Sequence, residues 1–165
     1  MRKLIDFFLF VFCFSIFSCA SSVDFHSAFV QDVKNGNYEL VYSTLEESSK
    51  DFYSKHDDVL QMLDLGLLAH YSEFPEVAIN YLNQAEKLIE ENYSKSISQN
   101  ISSYILNDNV IDYAGEEYED IYVNLFKCLT FISQENYESA FVEIRRFNNK
   151  LKSLSVKYQE QISKI

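Results

Sequence analysis

The stretch from Pro75 to Ile89 constrains the fold most: Val77, Ala78, Tyr81, Leu82, Ala85, Leu88 and Ile89 recur at the i, i+3, i+4 spacing of one helical face. Pro75 at its front suits a first helical turn, where a missing N–H costs no intrahelical bond. Such a stripe must be covered, and the flanking segments supply further helices. Phe25, Ala28, Phe29 and Val33 fit one face ended by Asn35-Gly36-Asn37, and Leu40, Val41, Leu45 and Phe52 outline a second helix. Val59, Met62, Leu63, Gly66 and Leu67 mark a third, with Asp57 as its N-cap. Beyond the Pro75 helix, Ile97, Ile101, Tyr104 and Ile105 define an inserted helix that Asn107-Asp108-Asn109 interrupts, and a loop through Asp112 and Gly115 follows. A sixth helix carries Tyr118, Ile121, Tyr122, Leu125, Leu129 and Ile132, and a seventh Tyr137, Ala140, Phe141, Ile144, Phe147, Leu151, Leu154 and Tyr158. No segment alternates as a strand would, and three glycines and one proline in 165 residues give little of the turn chemistry a sheet needs. The fold class expected is all-α.

Helical pairs joined by short polar turns prompt a search for repeats. Leu65-Gly66, Ala78 and Ala85 resemble the tetratricopeptide (TPR) pattern, in which small residues at set offsets let two antiparallel helices approach closely. A second copy is degraded: Asn136-Tyr137 and Ala140 fit, Cys128 stands where glycine is usual, and Phe147 replaces the second alanine. A third, partial copy begins at Asn37-Tyr38. The register is 37 residues from Val41 to Ala78 and 62 from Ala78 to Ala140, against roughly 34 in a regular array; the inserted helix accounts for the longer gap. The architecture expected over residues 24–165 is a TPR-like antiparallel helical-pair stack, an α-α superhelix, with a generic helical bundle as the other option.

The N-terminus reads as an export signal. Arg2 and Lys3 precede an apolar run from Phe7 to Phe17, broken only by Ser15, and this is shorter than the ~20 residues a spanning helix needs. Ile16-Phe17-Ser18-Cys19 resembles a lipobox in its relaxed, spirochaete-type form, since Phe17 departs from the usual small or polar residue. The resemblance implies a signal peptide over 1–18, cleavage before Cys19, lipidation of that cysteine, and a short tether over 19–23. Several acyl chains anchor stably where one is marginal. The other product compatible with these residues is a soluble chain cleaved near Ala20.

Removing residues 1–18 takes Arg2, Lys3 and Asp6 from the chain's 14 basic and 25 acidic residues, leaving 12 and 24 and a formal charge of −12. Nucleic acid is not an expected partner, because phosphate backbones require clustered Lys and Arg. The same acidity keeps the domain off an anionic lipid surface. After processing only Cys19 and Cys128 remain, and with Cys19 alkylated no internal disulfide is available; Cys128 between apolar neighbours reads as a small core residue.

No catalytic constellation stands out, and neither metal nor cofactor is expected. His26, His56 and His70 lack ligand spacing, and phosphate-cradling glycine loops are missing. Glu116, Glu119 and Glu143 with Arg145 or Arg146 would be the candidates for acid–base work. Their simpler reading is a helix start rich in carboxylates and an i, i+3 surface pair from Glu143 to Arg146.

Ser96-Ile97-Ser98-Gln99, the Tyr113-Ala114-Gly115-Glu116-Glu117-Tyr118-Glu119 segment, Asn124, and the run from Ala140 through Glu143, Arg145 and Arg146 to Leu151 resemble a family of bacterial lipoproteins with TPR-like repeats. Tyr113, Gly115, Glu116, Glu119, Asn124, Glu143, Arg145 and Arg146 are the motif residues. The resemblance implies a membrane anchor and repeat but no activity, and it implies longer relatives, so a domain incomplete at its C-terminus is expected. The function expected is a protein-interaction or scaffold module held to a bacterial membrane, inner or outer, and facing the periplasm. Leu63, Leu67, His70, Tyr71, Tyr122 and Leu125 would line its partner-binding groove. An envelope enzyme using carboxylates, or a structural subunit of an envelope complex, are the other readings.

Overall fold

The computed structural model describes residues 29–99 and 112–164, side chains at 96–99 excepted. Cys19 and the signal segment, with Phe25, His26, Ala28, Ile101, Tyr104, Ile105 and Asn107 to Asn109, lie outside the described residues. The chain divides into two units at Asn37–Tyr38. In the first, residues 29–34 are helical and close on the Asn35-Gly36 turn.

The second unit contains α1 (Tyr38–Phe52), α2 (Asp58–Tyr71), α3 (Pro75–Gln99), α4 (Glu117–Ser133) and α5 (Tyr137–Ile162). All regular structure among the described residues is helical. Each helix packs on the next, and α2 also touches α4. Gly66 faces Leu82 while Gly115 lies between Val59 and Ile89, so α2 and α3 run antiparallel. Asp120 meets Lys150 and Asn124 meets Glu143, which sets α4 against α5 in the same sense. The core is Val59, Leu63, Leu82, Ala85, Ile89 and Val123, with Met62, Leu88, Tyr113 and Phe126 packed on it. A methyl group at Gly66 would sit 2.9 Å from the Leu82 side chain and 3.3 Å from its backbone nitrogen. The absent side chain is what lets α2 approach α3.

Three turns share one geometry. Gly36, Glu73 and Glu135 take positive φ (80°, 61° and 59°). The N–H of the following residue then donates to the carbonyl five positions back: Asn37 to Asp32, Phe74 to Ala69 and Asn136 to Phe131, each at 2.9 Å. This Schellman-type closure caps the helix before each turn. The positive-φ residues fall five positions before Val41, Ala78 and Ala140, so the turns carry the uneven spacing already visible in the sequence.

Several local expectations change. Asp57 precedes α2, but its carboxylate does not cap it; it turns back to accept the Ser54 N–H at 2.9 Å. Ile97 does not open a separate helix, because α3 runs unbroken to Gln99. In α4 Ile121 is the one buried member of the periodic apolar set. Tyr118, Tyr122, Leu129 and Ile132 are exposed, whereas Asn124, Lys127 and Thr130 are buried with Ile121, Val123 and Cys128. In α5 only Ala140 and Glu143 are buried, and Phe141 is 66 % exposed.

Candidate functional site

α2 and α4 lie side by side in the same direction, since Asp64 feels the charge of Glu119 and, further along both helices, His70 meets Phe126 and Thr130. Between them runs a cleft of about 200 Å³, walled by Leu60, Leu63, Asp64 and Leu67 of α2 and by Tyr118, Glu119, Tyr122, Val123 and Phe126 of α4, with Leu82 of α3 as floor. Of the six residues expected in a groove, Leu63, Leu67 and Tyr122 line it. His70, Tyr71 and Leu125 do not; Phe126 does.

One end of the cleft, at Phe126, borders an aromatic cluster. Tyr71 stacks on Tyr38 with centroids 5.0 Å apart and meets Phe126 edge-on at 6.2 Å, and the His70 ring meets Phe126 at 5.6 Å. The Thr130 hydroxyl donates to the Phe126 carbonyl at 2.8 Å. Having one proton, it must accept from His70 Nδ1, also 2.8 Å away. The imidazole is thereby held in its Nδ1–H form, and burial lowers its pKa.

The opposite end is acidic. Tyr53 donates to Asp64 Oδ2 at 2.7 Å. Burial raises the Asp64 pKa, the Tyr53 hydrogen bond opposes the rise, and the Glu119 charge adds to it. Glu119 Oε2 accepts the Tyr113 hydroxyl at 2.6 Å and the Glu116 N–H at 2.8 Å, the reach-back half of a capping box at the start of α4.

The motif around Tyr113 is a strap. Its N–H donates to the His56 carbonyl at 2.8 Å and its carbonyl accepts the buried Asn92 amide at 2.9 Å. His56 Nδ1 lies 2.9 Å from Asp112, whose carboxyl this hydrogen bond holds below the usual range. Gly115 has φ +79°, and a Cβ there would approach Ile89 to 3.1 Å. Only glycine satisfies both the backbone and the space.

Behind the cleft, α3, α4 and α5 meet at a polar cluster. Lys127, 3 % exposed, places Nζ 2.9 Å from Glu86 and 3.1 Å from Glu143, which is 7 % exposed. Asn124 donates to Glu86 at 3.0 Å and to Glu143 at 2.7 Å, leaving its own buried carbonyl oxygen without a partner. Lys150 joins Glu86 at 3.2 Å to Asp120 at 2.7 Å, and Arg146 reaches Glu86 at 3.1 Å and Glu143 at 3.6 Å. Three carboxylates meet three cations. Burial opposes ionisation of Glu86, but the Lys127 hydrogen bond and charge, the Asn124 amide and Lys150 outweigh it and hold its pKa at about 2. The Glu143–Arg146 contact is thus one edge of an internal network, not an isolated surface pair. Neither Glu86 nor Lys127 was singled out in the sequence; the cue was a charge at position 86 between Ala85 and Ile89 of the apolar stripe.

Glu116, Glu119 and Glu143 share no partner: the first two shape the start of α4 and the third belongs to the network. Arg145 is exposed and donates to the Phe141 carbonyl. Cys128 is buried, and burial, reinforced by the Glu143 charge, pushes its thiol pKa up. Among the described residues no three His, Cys, Asp or Glu side chains group as metal ligands, and no helix is long and apolar enough to cross a membrane. The chain matches no protein-family model, no curated protein and no solved structure.

Proposed function

We propose that this chain is a lipid-anchored protein of a bacterial envelope, tethered through Cys19, whose helices stack as TPR-like pairs and whose α2–α4 cleft receives a segment of a partner protein. The observation that carries the reading is the cleft itself. In a stack of helical pairs, the first helix of each pair lines one face, and here α2 and α4 both precede a left-handed turn and an antiparallel second helix. Their shared face keeps large side chains open: Tyr71 and Tyr122 are each about half exposed beside Leu67 and Phe126. Exposed aromatics beside aliphatics are what protein interfaces use as anchors. An enzyme working through Glu116, Glu119 and Glu143 is the weaker reading, because those carboxylates have separate structural partners.

The test is affinity capture from envelope extracts with the acylated protein, alongside Cys19→Ala and Tyr122→Ala forms. A specific partner held by the wild type and lost with Tyr122→Ala supports the cleft. Detergent-phase partitioning of the wild type but not of Cys19→Ala supports the anchor. Capture that is indifferent to Tyr122 refutes the cleft, and an unmodified mass for the native chain refutes the anchor.

A further inference from the structure

We infer that the acidic end of the α2–α4 cleft receives a lysine or arginine side chain, carried beside an apolar residue on the partner segment. This rests on the partner-binding reading and specifies the chemistry of what enters. Asp64 and Glu119 both face the cleft, and each satisfies one oxygen with neutral donors: the Tyr53 hydroxyl on Asp64, the Tyr113 hydroxyl and Glu116 N–H on Glu119. Among the described residues neither forms an ion pair. On the far side of α4 the chain behaves differently, for Glu86, Glu143 and Asp120 are each matched by a lysine within 3.2 Å. The carboxylates behind α4 are matched by lysines, and the two that line the cleft are not.

An unmatched, half-buried carboxylate is costly to keep charged, and the burial that raises Asp64, compounded by the Glu119 charge, registers that cost. An arriving cation removes it. The walls suit the rest of such a side chain: Leu60 and Leu67 can cover its methylene stem, and the Tyr118 and Tyr122 rings can face the charge. About 200 Å³ falls short of the roughly 300–1,000 Å³ of small-molecule pockets and fits one long side chain with an apolar neighbour. The chain's formal charge of −11 draws basic partners to the same surface.

The experiment selects a random phage-displayed peptide library on the full acylated protein in detergent. The best peptide is then titrated against wild type, Tyr122→Ala, and the double variant Asp64→Asn/Glu119→Gln. The amides keep an acceptor for Tyr53, Tyr113 and the Glu116 N–H, and circular dichroism confirms that each variant is folded. Expected are selected peptides enriched in Lys or Arg next to an apolar residue, at least a ~10-fold affinity loss in the double variant, and the same loss when the peptide's basic residue is replaced by norleucine. Binding that falls with Tyr122→Ala but is unchanged in the double variant overturns the cation subsite and leaves the cleft standing. If no peptide is selected, or neither variant alters binding, the cleft reading falls and this inference falls with it.

Discussion

Replacing Lys127 with Met removes the one ammonium that bridges Glu86 and Glu143. The thioether matches the stem in length and keeps the packing, so the change isolates the charge. Glu143 then retains the Asn124 amide and Arg146 at 3.6 Å, while Glu86 retains Lys150 and Arg146 at 3.2 and 3.1 Å. Breaking a buried pair from one side costs roughly 3–5 kcal/mol. Because Glu86 is well compensated and Glu143 is not, the expected cost is near the lower bound, about 3 kcal/mol. Adding Glu143→Gln restores charge balance, so the double variant should cost less than the sum of the singles, with a coupling energy of about 1–3 kcal/mol. Urea unfolding followed by far-UV circular dichroism reads all four corners of the cycle. A Lys127→Met cost below about 1 kcal/mol, or strict additivity with Glu143→Gln, would refute the view that these groups form one coupled network.

The same cluster predicts a pH dependence: Glu86 sits at about 2 in the folded chain against an ordinary 4.5, so its stabilisation is full above the ordinary value and is lost as pH falls through the folded one. At 1.36 kcal/mol per pH unit, and discounted for partial exposure, this is worth about 2–3 kcal/mol, and Glu86→Gln should flatten the loss of unfolding free energy between those two pH values. Gly66→Ala gains about 1 kcal/mol of helix propensity but overpacks Leu82 by roughly 1–3 kcal/mol, for a net loss of about 1 kcal/mol of unfolding free energy, read as a lower urea midpoint. Glu135→Gly relieves a left-handed residue that no side chain favours and should raise stability by about 1 kcal/mol; an unchanged or lower thermal midpoint would show the turn to be unstrained. Thr130→Val removes the acceptor that His70 Nδ1–H uses and should cost about 1–2 kcal/mol; because the burial that lowers the His70 pKa is kept and the acceptor is lost, NMR titration should show that pKa unchanged or lower still, and a rise would refute the assignment.

The helices themselves were legible because their stripes are long and their turns are chemically marked. Asn35-Gly36 and the Gly66–Ala78–Ala85 spacing report backbone constraints that side chains alone decide. What burial does with α4 was not legible. Its most periodic apolar residues, Tyr118, Tyr122, Leu129 and Ile132, face outward, and its interior face reads Asn124, Lys127 and Thr130. A pattern search takes charge as a sign of solvent, and it fails where charges from three helices satisfy one another. Only part of the candidate site was readable: Leu63, Leu67 and Tyr122 sit on helical stripes, whereas Asp64 gains its meaning only from Tyr53 and Glu119, brought together by the fold. The turns at Glu73 and Glu135 lacked the glycine that would have announced them.

The strap at Tyr113 frees the chain from counting. Since its N–H and carbonyl are moored to His56 and Asn92, and Gly115 is wedged between Val59 and Ile89, α4 begins at a berth fixed by earlier helices. Residues can be gained or lost between Gln99 and Asp112 with no change in where that berth lies. A 62-residue interval can therefore follow a 37-residue one, and a family built this way would vary most in the length of that segment while the face shared by α2 and α4 stays constant.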